Sequence, residues 1–234
     1  MRMKQIIIAV VLLFTVSMGA QTKSDLLTHY KAFYKQMKSQ GDTQGIINAI
    51  THLNVLEPSE ARKDTLAFLY VNSNQNMQAL RVIGVDTKDS DSNLAVQVRA
   101  LALKALGDVK RAIAQFEILN KRTPNTFLAY ELADLKIQTG DKAGALVNIE
   151  YGLANAKDDM KYAFYERQQP YEVPIKAAFL HLKALIEYNN DQSKPDVALA
   201  LINEALAIAP NFNLASLSMQ AIEARKADVE TPKK

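Results

Sequence analysis

Small and bulky apolar residues recur around a polar Gly-Asp turn in residues 105–125, ALGDVKRAIAQFEILNKRTPN. Gly107 is followed by Ala112, Phe116 comes four positions later, and Pro124 closes the segment. Glycine tolerates the left-handed backbone that ends a helix, aspartate caps the start of the next helix, and proline stops it. The pattern therefore predicts one helix that ends at Gly107 and a second that begins beside Asp108 and stops before Pro124.

The same positions recur every 33 residues, so this segment is one copy of a repeat. The turn position reads Gly41, Asn74, Gly107 and Gly140, and the residue after it reads Asp42, Gln75, Asp108 and Asp141. The small position reads Ile46, Ala79, Ala112 and Ala145, and the bulky one reads Ile50, Ile83, Phe116 and Ile149. Copies at a fixed period predict helical hairpins that bury their apolar faces against one another.

These residues and their spacing resemble the tetratricopeptide repeat. Leu66-Ala67 followed by Tyr70 fits that family's first helix, and a fifth copy is clearest in its second helix, DVALALINEALAIAPN. The resemblance covers about residues 25–210. The copies depart from the family in their period, 33 in place of the usual 34, and in Asp91 and Lys157, where proline is expected. Ankyrin repeats also have a period of 33, but their T-P-L-H-x-A signature does not occur.

The resemblance implies an all-α fold, a solenoid of helical hairpins in a right-handed superhelix with a C-terminal capping helix. We expect repeats 1 to 4 over residues 21–156 and repeat 5 over residues 176–210. Apolar positions such as Leu214, Leu217 and Ile222 predict the capping helix over residues 211–227, and residues 228–234 are expected to be a disordered tail.

The period breaks between repeats 4 and 5, where residues 157–175 form an irregular insert. Its aromatic residues are Tyr162, Phe164, Tyr165 and Tyr171. We predict a short helix, a loop bounded by prolines, and then a long helix from about Pro174 to Tyr188. Two interpretations stay open: the rings form a partner-binding loop, as aromatic hot spots do, or they fill a gap in the interrupted array.

The first 20 residues, MRMKQIIIAVVLLFTVSMGA, have the plan of a secretory signal peptide: a basic start, an apolar run and small residues up to Ala20. The run from Ile6 to Val16 is shorter than the roughly 20 residues that span a bilayer. We expect cleavage near Ala20 and export to the periplasm or out of the cell, with no membrane span left. An uncleaved membrane anchor is the alternative.

Composition and motifs limit the chemistry that the chain can carry. Cleavage would leave 26 basic and 25 acidic residues, so the formal charge would fall from +3 to +1, which argues against nucleic-acid binding. The chain has no cysteine, and His29, His52 and His181 have no partner at metal-ligand spacing. The segment DTKDSDSN lacks the glycine and glutamate of a calcium loop, and no phosphate-binding loop or nucleophile elbow occurs. We expect no enzyme activity, metal or cofactor.

The resemblance implies that the first helix of each hairpin lines a concave face where a partner binds. By helical phase, the candidates are Lys31, Lys35, Lys38, Phe68, Leu101, Lys104, Phe127, Tyr130 and Asp134, together with Tyr165 and Tyr171 of the insert. This arrangement predicts a basic end, suited to the acidic part of a partner, and a more apolar middle. Alternatively, the lysines of repeat 1 only solvate a terminal helix.

These features predict an exported, non-catalytic scaffold or adaptor, monomeric or weakly oligomeric, that binds a protein or peptide. The alternative is an accessory subunit of an envelope assembly that binds a small ligand or glycan in the groove.

Overall fold

A computed structural model describes residues 22–230, which contain eleven helices and two short strands. They form two compact units, one ending at Gly84 and one beginning at Val85. The predicted signal peptide and residues 231–234 of the predicted tail lie outside the described residues. None of the helices in the described part of the chain is both long enough and apolar enough to cross a membrane.

The first unit consists of two helical hairpins. Helices α1 (Lys23–Gln40) and α2 (Thr43–Leu56) form the first, and α3 (Glu60–Asn72) and α4 (Asn76–Ile83) form the second. Helix α2 also packs against α3, and Ile47, Ile50 and Leu66 form a buried cluster between the hairpins.

The second unit contains three more helical hairpins, a pair of strands and a final helix. Its elements are α5 (Asn93–Ala105), α6 (Val109–Arg122), α7 (Thr126–Gln138), α8 (Lys142–Asn155), β1 (Lys161–Phe164), β2 (Tyr171–Pro174), α9 (Ile175–Asn190), α10 (Asp196–Ile208) and α11 (Asn213–Glu230). Helices pair as α5 with α6, α7 with α8, and α9 with α10, and α11 packs on α10. Helix α11 continues to Glu230, past the predicted end of the capping helix at residue 227.

The turn chemistry read from the repeat is confirmed. The backbone has a positive φ at each of the four turn positions, Gly41 (69°), Asn74 (57°), Gly107 (79°) and Gly140 (82°). Asparagine is the side chain that best tolerates this conformation after glycine, which explains its place in the second copy. The aspartates that follow the three glycines each accept a backbone N–H bond at the start of the next helix. Gln75, their counterpart after Asn74, makes no such capping bond.

The alanines of the repeat are buried within the packed helices. Seven of them are 0% exposed: Ala67, Ala79, Ala100, Ala112, Ala133, Ala145 and Ala198. Side chains of this size let two helix backbones come close, and the larger residues around them then interlock. Gly152 in α8 allows a similarly close contact, because an added Cβ at this position would fall on the ring of Phe179 in α9.

The insert corrects two predictions: residues 161–164 form a strand and not a short helix, and residues 171–174 form a second strand where a loop bounded by prolines was expected. Strands β1 and β2 pair antiparallel, with Tyr162 opposite Val173 and Phe164 opposite Tyr171. Because side chains alternate between the faces of a strand, these four residues share one face. Phe164 and Val173 are buried, and the strands pack against α9. The alternating aromatic and β-branched residues favour this pairing over a helix, which would spread the same side chains around its circumference.

Asp91, which replaces the expected proline of the second copy, forms a buried ion pair. Its carboxylate lies 3.0 Å from the guanidinium of Arg99, which is fully buried and also donates to Gln115. Thr87 and Gln115 are hydrogen bonded to each other as well. This network ties the segment before α5 to α5 and α6, and Ser92 caps α5 by accepting from the amide of Ala95.

We expect His181 in α9 to make the stability of the second unit depend on pH. Burial lowers its pKa to about 4, and one ring nitrogen lies 2.9 Å from the hydroxyl of Ser218 in α11. In the unfolded chain the pKa is near 6.5, so as the pH falls below about 6.5 the unfolded state takes up a proton before the folded state does. We predict that unfolding free energy falls by about 3 kcal/mol between pH 6.5 and 4 from this group alone.

The measurement is chemical denaturation of the full chain and of His181→Gln across this pH range. The variant should lose less stability than the parent on acidification, because it has no group to protonate. If the unfolding free energies of the parent and of His181→Gln fall equally with pH, His181 does not cause the pH dependence.

Candidate inner-face site of the second unit

The predicted partner-binding residues fall in both units. In the first unit, Lys31, Lys35 and Lys38 are exposed on α1, and Phe68 is half-buried on α3. None of the three lysines forms an ion pair with another described residue. The contact of a partner with this basic stripe stays a prediction.

In the second unit, a groove runs between the first helices of two successive hairpins. It has a volume of about 370 Å³ and is lined by residues of α5, α6 and α7 that include Gln97, Leu101, Phe116, Phe127, Leu128 and Glu131. Phe116 is buried at the bottom, whereas Phe127 is 42% exposed at the side. We call this cavity the α5–α7 groove. It brings together Leu101 and Phe127 of the predicted residues.

A set of polar side chains lies next to the groove, with Glu131 at its centre. One carboxylate oxygen of Glu131 accepts a hydrogen bond from the hydroxyl of Tyr162 in β1, at 2.6 Å. The other accepts from the ammonium of Lys104 in α5. Three elements therefore hold this carboxylate in one place. We call Lys104, Tyr130, Glu131, Asp134 and Tyr162 the Glu131 cluster.

The members of the cluster are withdrawn from water to different degrees: Tyr130 is buried, and the other four side chains are partly buried. Burial raises the pKa of Asp134, and the charge of Glu131 adds to this effect while Lys104 opposes it. Burial also raises the pKa of Tyr162, whose hydroxyl is further held protonated by Glu131. The pKa of Tyr130 is raised well above its usual value, first by burial and then by the charges of Asp134 and Glu131. Electrostatic interactions are strong at such a site because little water screens them.

The ring of Tyr130 is covered, contrary to its predicted place on an open concave face. It lies against Tyr162, Phe164 and Phe179, at centroid distances of 4.2, 6.3 and 5.5 Å. The β-hairpin therefore occupies the surface that the helical phase assigned to a partner.

The aromatic residues of the insert were expected either to bind a partner or to fill a gap in the array, and they differ in which role their positions fit. Tyr162, Phe164 and Tyr171 pack on the core, as the gap-filling interpretation requires, and Tyr171 donates to Glu166. Tyr165 is 75% exposed, next to the tip of the hairpin. Its role in partner binding stays a prediction.

The sequence does not single out Glu131, and it shows Tyr162 only as one of the aromatic residues of the insert, although these two residues organise the cluster. Glu131 follows Phe127 by four residues and precedes Asp134 by three, so the helical period places all three on one stripe of α7. The contact of Tyr162 with Glu131 could be predicted only if β1 had been recognised as a strand. Within residues 22–230, no group of three histidine, aspartate or glutamate side chains is arranged to hold a metal ion.

No protein-family model matches the sequence, and neither does any curated protein. Several solved structures, however, are similar to this chain. MamA residues 41 to the end, from Desulfovibrio magneticus RS-1, aligns with a TM-score of 0.62 at 10% identity, over 83% of this chain and 99% of that one. YrrB, described as a TPR protein with an unusual peptide-binding site, aligns with a TM-score of 0.61 at 12% identity, over 82% and 90%.

A chain of the Cut9-Hcn1 hetero-tetramer of the APC/C is also similar. Its TM-score is 0.55 at 16% identity, over 88% of this chain and 37% of that one. Identities this low establish the fold alone. The chain has the all-α fold of the tetratricopeptide-repeat proteins, as the sequence predicted.

We predict that Tyr162→Phe lowers the unfolding free energy by about 1–2 kcal/mol, because it removes a hydrogen bond to a partly buried carboxylate. Thermal melting monitored by circular dichroism measures the change. Tyr165→Phe is the matched control, because that hydroxyl is exposed, and it should melt within error of the parent. Equal melting temperatures for the parent and Tyr162→Phe would contradict the assigned role of Tyr162.

Proposed function

We propose that this protein is a non-catalytic scaffold or adaptor that holds a segment of a partner protein in the α5–α7 groove, beside the Glu131 cluster. The observation that carries this proposal is the groove itself, in which the exposed ring of Phe127 and the side chain of Leu101 adjoin a fixed carboxylate. Apolar anchors beside oriented polar groups are what a protein needs to bind an extended segment with specificity.

Two similar structures support this proposal. YrrB has the same fold and is described as having a peptide-binding site, and the similar APC/C chain belongs to a hetero-tetramer. Because the identities are low, these likenesses support a class of function and name no partner.

The arrangement of the cluster favours binding over catalysis. Lys104 and Tyr162 both donate to Glu131, so these polar groups fix a surface. Burial and the charge of Glu131 both raise the pKa of Tyr162, so its hydroxyl stays protonated and acts as a donor that orients Glu131.

We also propose that the chain acts after export, with cleavage near Ala20. The support is the signal-like order of the first 20 residues. Intact-mass measurement of the protein recovered outside the cytoplasm tests this: a chain that starts at Gln21 is expected, and a full-length chain would contradict it.

The binding proposal is tested by replacing Phe127 with the photo-crosslinking amino acid p-benzoylphenylalanine in the full-length chain in its own host. The control carries the same probe in place of Val147, which is 66% exposed on α8, the second helix of the same hairpin. We expect a discrete adduct from position 127 that is absent at position 147. Leu101→Ser should weaken that adduct, because Leu101 lines the same groove. Adducts of equal yield at both positions, or at position 147 alone, would contradict the proposal.

A further inference from the structure

Asp134 is a partly buried carboxylate without a cation of its own. Among the described residues it receives a hydrogen bond from Gln138, at 2.9 Å, and it forms no ion pair. Lys104, the nearest source of positive charge in the cluster, donates to Glu131. One ammonium thus faces two carboxylates, and the cluster keeps a net negative charge. A carboxylate withdrawn from water in this way is unfavourable until an opposite charge reaches it.

Tyr130 adds a hydroxyl oxygen that can accept a hydrogen bond from a ligand. Its side chain is 5% exposed, and its hydroxyl has no hydrogen-bond partner in the described part of the chain. Tyr130 precedes Asp134 by one helical turn, so the two side chains lie on the same face of α7. Unlike the buried polar atoms that lack a partner, such as Nδ1 of His181, this hydroxyl keeps contact with water and is open to a donor from outside.

The position of the α5–α7 groove sets the geometry of the ligand. Phe127 lines the groove, Asp134 follows it by seven residues, and Glu131 lies between them and belongs to both groove and cluster. Seven residues of helix span about 10 Å. An extended chain covers that distance in about three residues.

We propose that the Glu131 cluster binds the side chain of a lysine or arginine in the partner segment, and that an apolar side chain about three residues away fills the α5–α7 groove. This inference rests on the proposed function and adds the chemistry of the partner. The basic side chain donates to the carboxylate of Asp134 and to the hydroxyl oxygen of Tyr130.

The charge of the site argues against an acidic partner here. An incoming carboxylate would meet Asp134 and Glu131, and the one lysine of the cluster is already engaged by Glu131. The basic stripe of α1 in the first unit has the opposite preference, so the site proposed here is distinct from the acidic contact that the sequence predicted.

The experiment is selection of random dodecapeptides displayed on phage against the purified chain. We expect enriched peptides to carry a lysine or arginine about three positions from a leucine or aromatic residue. In a resynthesised peptide, exchange of the basic residue for norleucine should weaken binding on the order of tenfold to a hundredfold, the worth of a charge-assisted hydrogen bond.

Asp134→Asn supplies the decisive variant. It keeps the hydrogen bond from Gln138 and removes the charge, so it should fold as stably as the parent and bind the basic and norleucine peptides about equally. The control is Glu150→Gln, which removes an exposed charge from α8 and should keep the preference of the parent.

The outcomes separate the two proposals. Apolar peptides without a basic residue would overturn the inference and leave the proposed function standing, as would a basic preference that survives Asp134→Asn. Acidic peptides that depend on the groove would overturn it as well. No enriched peptide, together with no adduct at position 127, would overturn both.

Discussion

The candidate site of the second unit depends on one contact, the aromatic face of the β-hairpin packed onto the helices around it. A two-stranded hairpin is marginal in water, so β1 and β2 need that cover. Phe164 provides it by packing against Tyr130 and Phe212, with centroid distances of 6.3 and 4.9 Å. Its contacts join α7 to the segment that opens α11. The insert therefore adds to the direct packing of α9 on α7 and α8, and it covers the ring of Tyr130 at the point where the repeat is interrupted.

The same contact creates the candidate site. Tyr162 lies on the same face of β1 as Phe164, and its hydroxyl emerges beside the core where Glu131 and Lys104 meet. Glu131 is thereby satisfied by two donors. Asp134, which accepts a hydrogen bond from Gln138, then forms no ion pair with another described residue, and the hydroxyl of Tyr130 has no hydrogen-bond partner among the described residues. The hairpin closes part of a surface that a plain repeat would leave open and turns the rest into a small, oriented polar site next to an apolar groove.

The sequence predicted what local chemistry determines and missed what depends on distant packing. Glycine and aspartate at the turns act through their own backbone, so a single sequence reveals them, and Asn74 takes the glycine conformation as its side chain allows. Asp91 looked like a lost proline, but its role is to pair with Arg99, which no local pattern shows. The strands are four residues each, too short for their alternation to stand out against a helical background. Because β1 was missed, the helical phase left the ring of Tyr130 exposed and gave Glu131 no role.

Native-state hydrogen exchange of the full chain, followed by NMR or mass spectrometry, tests most directly whether the hairpin is part of the core. The relevant amides are those that bond across β1 and β2, together with that of Ile175, which donates to the carbonyl of Met160 at 2.9 Å. Our account predicts protection close to that of the amides in α7 and α9, because the hairpin can open only when the aromatic cluster separates. Exchange of the hairpin amides at the rate of an exposed loop, while α7 and α9 stay protected, would contradict it and would remove the support that holds Glu131 in place.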